Sequence, residues 1–151
     1  GYPTRFIELA GEINSVMPKA VVDRVVEAVR DQGKNIADAR IMISGIAYKP
    51  DIDDIRETPA APIIELLESL EAKVCYHDPH CPVFPEMKKH SLDMASVELT
   101  PEVLESMDCV VIVTDHAAVD YEMLGKHASL VVDTRNAMDR VGNPTAKIIK
   151  A

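Results

Sequence analysis

The sequence predicts an α/β domain built on a parallel sheet and preceded by a long, kinked helical segment. From residue 40 onward, short apolar runs alternate with amphipathic helical patterns, an order typical of parallel strands joined by helices. The 151 residues, 47% of them hydrophobic, fit a single globular domain with one short additional element. We expect the boundary at Gly33, with a helical segment over residues 1–33 and the α/β domain over residues 34–151.

The helical segment carries two apolar patterns. Phe6, Leu9 and Ile13 recur at helical spacing, and Pro18 kinks or ends that pattern because it lacks a backbone N–H. Over residues 19–32, a stripe rich in paired valines is wider than one buried face requires. Two alternatives follow: the stripe packs on the domain behind it, or it covers a second copy of the chain. We expect a homodimer through these helices, with a self-complementary two-fold interface.

Five strands and a Rossmann-like order are predicted for the sheet. The segments expected as strands, numbered one to five, are 40–47, 73–77, 97–99, 109–114 and 130–133. The expected order across the sheet is 3-2-1-4-5, with Thr58 and Thr100 capping two of the helices. In such sheets ligands bind outside the carboxyl ends of the strands, where the order reverses. The loops expected at that place are 48–57, 114–116 and 133–136.

Composition and charge exclude some classes of function. With 16 Lys and Arg against 25 Asp and Glu, the net charge is −9, which argues against a broad nucleic-acid or anionic-membrane surface. No apolar run approaches the roughly 20 residues of a membrane span. Three cysteines do not form a disulfide framework, so we expect a reducing, cytoplasmic location. An anionic ligand would have to be held by a few well-placed cations, because the overall field repels it.

The stretch after the first strand carries the most chemical information. It is not a dinucleotide fingerprint, because Gly45 is its only glycine. We expect the following helix start to attract an anion through its free N–H groups, with Lys49 and Arg56 flanking it. The alternative is that the two cations only neutralise the local acids, which are Asp51, Asp53, Asp54 and Glu57.

Neither a metal site nor a catalytic triad is predicted. His77, His80 and Cys81 lie close in sequence, but no second pair of ligands completes a tetrahedral set at recognised spacing. Asp115 and His116 follow a strand and are able to form an acid–base pair. No nucleophile in a recognisable setting accompanies them, so we expect no catalytic residue in this chain.

Several motifs give the sequence a family resemblance. They are GIAYKPDIDDIRETP at 45–59, YHDP at 76–79, VIVTDH at 111–116 and VVDTRN at 131–136. With them the chain resembles the C-terminal, UDP-binding domain of the UDP-glucose/GDP-mannose dehydrogenase family. Within the family it is most similar to bacterial UDP-N-acetylglucosamine and UDP-N-acetylmannosamine 6-dehydrogenases. The opening TRFIELAGEIN at 4–14 resembles part of the central helix that joins the two halves of these enzymes.

The resemblance implies an oxidoreductase as the parent protein. Such enzymes oxidise a nucleotide sugar from alcohol to carboxylate in two steps, each passing a hydride to NAD. This sequence has neither the Gly-rich NAD-binding motif nor the nucleophilic cysteine setting of the family's N-terminal half. We therefore expect a nucleotide-sugar-binding fragment that is inactive alone and whose NAD is bound mostly by the absent half. The alternative is a stand-alone nucleotide-binding or regulatory α/β module.

The resemblance also assigns roles to individual residues. By it, Tyr48 and Lys49 contact the nucleotide sugar and Arg135 binds the UDP-sugar. Arg56 reaches the NAD pyrophosphate, and Arg5 is presented to the sugar site of the neighbouring subunit. Three of these five residues belong to the loop after the first strand, which the expected strand order places at the same crevice.

Overall fold

A computed structural model describes residues 18–47, 58–83 and 94–151. Within these ranges five strands form one sheet in the order β2-β1-β3-β4-β5, and every neighbouring pair is parallel. The strands are β1 (Arg40–Ser44), β2 (Lys73–His77), β3 (Cys109–Ile112), β4 (Leu130–Asp133) and β5 (Lys147–Lys150). The predicted α/β class, and the relative order of the four predicted strands that form, are confirmed.

The two edges of the sheet differ from the prediction. Residues 97–99 do not form a strand; beside β2 there is only a single bridge between Ser96 and Tyr76, with Val97 N donating to Tyr76 O. The expected third strand is therefore wrong, because the chain turns into a helix at Pro101 before a ladder can extend. At the opposite edge, β5 lies in the tail beyond residue 137, for which we made no prediction.

Within the part of the chain that the structure describes, four α-helices and one 3₁₀ turn cover the sheet. The helices are α1 over residues 18–31, α2 (Ala60–Ser69), α3 (Pro101–Glu105) and α4 (Tyr121–His127), and the 3₁₀ turn is Ala137–Arg140. Thr100 caps α3 as predicted, since its Oγ1 accepts from Val103 N at 3.2 Å. The N-cap of α2 is Pro59, one residue beyond the predicted Thr58, whose Oγ1 accepts from Ala60 N.

Gly33 ends α1 as its position predicts. It adopts a φ of +79°, and its N–H donates to Arg30 O while Lys34 N donates to Val29 O. These two bonds satisfy carbonyls that the helix end would otherwise leave free, and the left-handed conformation favours glycine.

The valine stripe of α1 is buried inside the chain. Val21, Val22, Val25 and Val29 are at most 4% exposed and share one core with α2 and the sheet. The prediction of a partner surface from the width of this stripe is wrong, because the chain's own sheet covers these valines. Residues 4–14, which also supported the predicted dimer, lie outside the described residues. The boundary at Gly33 stays a prediction, although the described parts on both sides of it share this core.

The apolar core lies on both faces of the sheet. One cluster joins α1 and α2 to the sheet, and the second joins α3 and α4 to the other face. β3 and β4 are buried along their whole length, as the continuous apolar runs predicted. Across the described ranges, no helix is long and apolar enough to span a membrane.

Candidate functional site

The polar residues of the sheet collect at its carboxyl edge. β1 lies between β2 and β3, so the strand order reverses beside it and leaves a crevice outside the strand ends. The described segments that meet there follow β1, β2, β3 and β4: residues 45–47, 78–80, 114–116 and 134–136. Of the five predicted site residues, the structure describes Arg135. The other four lie outside the described residues: Arg5, Tyr48, Lys49 and Arg56.

The carboxylate of Asp78 is the most highly bonded group at this edge. Its Oδ2 accepts from Ile46 N at 2.8 Å, from Ala47 N at 3.2 Å and from His116 Nε2 at 2.9 Å. Its Oδ1 accepts from His80 N at 2.8 Å. The side chains of Asp78 and His116 are both 0% exposed. One buried carboxylate therefore joins the ends of β1, β2 and β3.

These contacts fix the charge of the Asp78 carboxylate. Burial opposes ionisation of Asp78, but the hydrogen bonds from His116, Ile46 N and His80 N outweigh it and lower the pKa to about 2. The carboxylate is therefore ionised near neutral pH, and Nε2 of His116 must carry the proton that it donates. The ring of His80 meets the ring of His116 edge-on, with centroids 4.7 Å apart.

His116 thus has a carboxylate partner that the sequence did not indicate. The positions of Asp115 and His116 after a strand allowed them to pair with each other, but the carboxylate bonded to His116 is Asp78, and Asp115 forms an ion pair with Arg140. Arg140 also lies over the ring of Tyr121, 5.1 Å from its centroid. The pair of Asp115 with His116 does not form, because sequence neighbours at a strand end bond in different directions.

The backbone that leaves β1 is held on both sides. Ala47 donates its N–H to Asp78, and its carbonyl accepts from Thr114 Oγ1 at 2.7 Å. Gly45 has a φ of +88°, and a Cβ built on it would lie 2.6 Å from Thr114 Cβ. This glycine is therefore required by the close approach of the segment after β3. The next residue after Ala47 is Tyr48, where the described backbone stops.

The start of α2 has fewer free N–H groups than we expected. Ala60 N donates to Thr58 Oγ1, and Pro62 has no N–H, which leaves the N–H of Ala61 in the first turn. Lys49 and Arg56, the cations expected to flank this helix start, lie outside the described residues, so the anion site stays a prediction.

Arg135 lies at the carboxyl edge, as predicted from its position after a strand. Buried Asp133 accepts from Arg135 N at 3.0 Å and from the N–H groups of Ala137 and Met138. The Nε of Arg135 donates to Val113 O at 3.0 Å. Arg135 is exposed, and no carboxylate of the described residues forms an ion pair with it. It is thus an anchored cation that faces solvent, suited to bind an anion.

The sulfur and imidazole groups have structural settings. Burial raises the pKa of Cys109 to about 12 and also raises that of Cys75, so both stay protonated thiols near neutral pH. His77 Nδ1 bonds to Val97 O at 2.8 Å. Within the described ranges, no three His, Cys, Asp or Glu residues are placed together so as to hold a metal ion.

The geometry defines a class of protein: a Rossmann-like α/β domain with its polar site at the carboxyl edge, the place where this class binds nucleotides. Residues 42–140 match the sequence model of the UDP-glucose/GDP-mannose dehydrogenase family, UDP binding domain. The chain belongs to this family.

Curated relatives and solved structures agree with that membership. The UDP-N-acetyl-D-mannosamine dehydrogenase of Methanococcus maripaludis is 34% identical over 112 residues, covering 74% of this chain and 24% of that protein. The UDP-glucose 6-dehydrogenase of Haloferax volcanii is 28% identical over 143 residues, covering 93% and 32%. The structure of the UDP-D-ManNAc dehydrogenase from Pyrococcus horikoshii matches with a TM-score of 0.75 and 26% identity, covering 95% and 32%. The chain spans about a quarter to a third of the length of these proteins.

Proposed function

We propose that this chain is the nucleotide-sugar-binding part of an NAD-dependent UDP-sugar 6-dehydrogenase. The substrate class is a UDP-N-acetylhexosamine, oxidised in two steps to the uronic acid. The observation that carries the proposal is the anchored, solvent-facing guanidinium of Arg135 at the carboxyl edge of a domain that belongs to the UDP-binding family. Such a guanidinium is suited to bind the phosphate oxygens of a nucleoside diphosphate.

The names of the relatives support UDP more strongly than any one sugar. One relative acts on UDP-N-acetyl-D-mannosamine and another on UDP-glucose, so the UDP moiety is what the names share. The N-acetylhexosamine is proposed because the name UDP-N-acetyl-D-mannosamine dehydrogenase recurs among the relatives in archaea and in Escherichia coli.

The described residues do not fit an NAD site of their own. The glycine after β1 serves the contact with Thr114, and the N–H groups of Ile46 and Ala47 are bonded to Asp78. In the dinucleotide-binding fingerprint, the NAD pyrophosphate lies against the glycines and the free N–H groups that directly follow the first strand. We therefore propose that other parts of the whole enzyme bind NAD, with Arg56 reaching its pyrophosphate, and that this chain alone does not reduce NAD.

The sugar side of the site and the dimer are proposed from sequence alone. Tyr48 and Lys49 follow directly on the held residue Ala47, which supports their entry into the crevice. The homodimer rests on the helical spacing of Phe6 and Leu9, and the presentation of Arg5 to the neighbouring site rests on the family resemblance. Sedimentation equilibrium over a concentration series measures the assembly, and a monomer at every concentration contradicts it for this chain.

Titration of UDP into the 151-residue chain, followed by amide NMR shifts, tests the nucleotide site. We expect shifts at residues 45–47, 114–116 and 133–136, and about tenfold weaker binding for Arg135→Ala. The matched control is Arg30→Ala, an exposed arginine at the end of α1, near the amino edge. Added NAD and UDP-N-acetylglucosamine should give no NADH absorbance.

Three outcomes separate the alternatives. Absence of UDP binding by the wild-type chain contradicts the proposed function. Tighter binding of another nucleotide than of UDP favours the stand-alone nucleotide-binding or regulatory module. Equal weakening by Arg135→Ala and Arg30→Ala indicates a general charge effect and contradicts the role of Arg135.

A further inference from the structure

We propose that Asp78, held by His116, is a positioning residue for nucleotide binding. It fixes the backbone of Ile46 and Ala47 at the carboxyl edge, directly before Tyr48 and Lys49 in the sequence. The inference rests on the proposed function, since it concerns how that same site is built.

The need for such a group arises where the regular sheet pairing stops. Gly45 N still donates to His77 O, the last backbone bond along this side of β1. The next two N–H groups, of Ile46 and Ala47, donate to the carboxylate of Asp78 instead. With the Ala47 carbonyl held by Thr114 Oγ1 as well, both backbone polar groups of Ala47 are fixed. A buried N–H without such a partner is costly, so the carboxylate decides the path of the backbone.

His116 supplies the remaining bond and completes the bridge between strands. β2 and β3 lie on opposite sides of β1, so the contact from His116 to Asp78 passes over the end of β1. A fully buried carboxylate carries a desolvation cost that an apolar side chain in the same place would avoid. The buried carboxylate instead fixes the geometry of this edge, because four donors from three segments bond to its two oxygens.

The amino edge provides a matched control carboxylate. Asp108 accepts from Arg40 N at 2.8 Å and from Lys34 Nζ at 2.7 Å. It therefore holds the first residue of β1 as Asp78 holds the backbone beyond the last, but at the end of the strand away from the crevice. Asp→Asn at either position keeps the shape and removes the charge.

The experiment compares UDP affinity in the 151-residue chain and its variants, with folding checked separately by chemical denaturation. We expect Asp78→Asn to weaken UDP binding about tenfold, and Asp108→Asn to leave it within about twofold. The amide NMR shifts of Ile46 and Ala47 should move in Asp78→Asn before any ligand is added. A structural loss alone would lower the midpoint of unfolding without changing the affinity of the folded protein.

Two substitutions of His116 keep the test decisive if Asp78→Asn does not fold. His116→Gln retains a side-chain N–H donor, and His116→Phe keeps the ring volume without one. We expect His116→Gln to bind UDP within about threefold of wild type and His116→Phe to bind about tenfold more weakly.

If folded Asp78→Asn binds UDP with wild-type affinity, the inference is overturned and the proposed function stays intact. If Asp78→Asn does not fold, wild-type UDP affinity in folded His116→Phe has the same consequence. An equal loss in Asp108→Asn would overturn it too, because the effect would then not depend on the carboxyl edge. If the wild-type chain itself binds no UDP, the proposed function fails and the positioning role fails with it.

Discussion

The two edges of the sheet use carboxylates in different ways. At the amino edge, Asp108 is 25% exposed and pairs with Lys34, whose side chain is 49% exposed. At the carboxyl edge, Asp78 and Asp133 are about 1% exposed, and each accepts several backbone N–H groups. The first arrangement is an ion pair screened by water, whereas in the second a buried carboxylate is held by backbone N–H groups. Buried carboxylates with several donors therefore mark the carboxyl edge, where we propose that the nucleotide binds.

The largest expected difference between the edges concerns glycine. In Gly45→Ala the new Cβ would meet Thr114 Cβ at 2.6 Å and Thr114 O at 2.7 Å, at a φ of +88°. We expect the free energy of unfolding to fall by about 3 kcal/mol or more. Gly33→Ala has a similar φ of +79° but nothing within 4 Å, and should cost about 1 kcal/mol. Urea unfolding measures both, and equal losses would contradict the steric role of Gly45.

Acid should weaken the carboxyl edge next. The pKa of Asp78 is lowered from 3.8 to about 2, so its contribution to stability is present above about pH 4 and is lost as the pH falls through about 2. That contribution is about 2 kcal/mol at most. The stability difference between wild type and Asp78→Asn should therefore shrink over this range. A difference that does not change with pH would show that the ionised form is not the one held. Asp108→Asn, whose wild-type carboxyl also has a lowered pKa but is partly exposed, should show a smaller effect.

The smallest effect is expected at the amino-edge ion pair. Lys34→Ala removes an exposed partner of Asp108, which keeps its bond from Arg40 N. The loss of stability should be about 0.5 kcal/mol or less and should decrease further with added salt. Denaturant unfolding at low and high salt tests this. A loss comparable with that of Gly45→Ala would remove the distinction between the edges.

Local patterns were enough to predict most of the sheet. Continuous apolar runs identified β1, β3 and β4, and the Thr100–Pro101 pair identified the start of α3. The edges were harder to predict, because β5 has only four residues with two half-buried isoleucines. A segment so short gives no usable periodicity. Residues 97–99 were wrongly predicted as a strand, since Val97 and Leu99 pack against the core without joining the strand pairing of the sheet.

The site was predictable only in part, for a physical reason. Arg135 follows a strand, and strand order alone brings such residues to the crevice. The bond between Asp78 and His116 joins residues 38 positions apart and passes over a third strand, so no local pattern encodes it. The available signal was the arrangement of an acid directly after strand two and a histidine two residues after strand four, with strand one between them in the expected order.

The separation of these contacts has a consequence for folding kinetics. The Asp78 carboxylate bonds to Ile46, 32 residues before it, and to His116, 38 residues after it. Each bond closes a long loop, and the entropy of that closure must be lost before the contact contributes. The carboxylate also cannot leave water until its donors are in place. We therefore expect the crevice to form after β1, β2 and β3 have aligned, so that a chain collapsed around its apolar strands lacks the proposed nucleotide site until this polar contact closes.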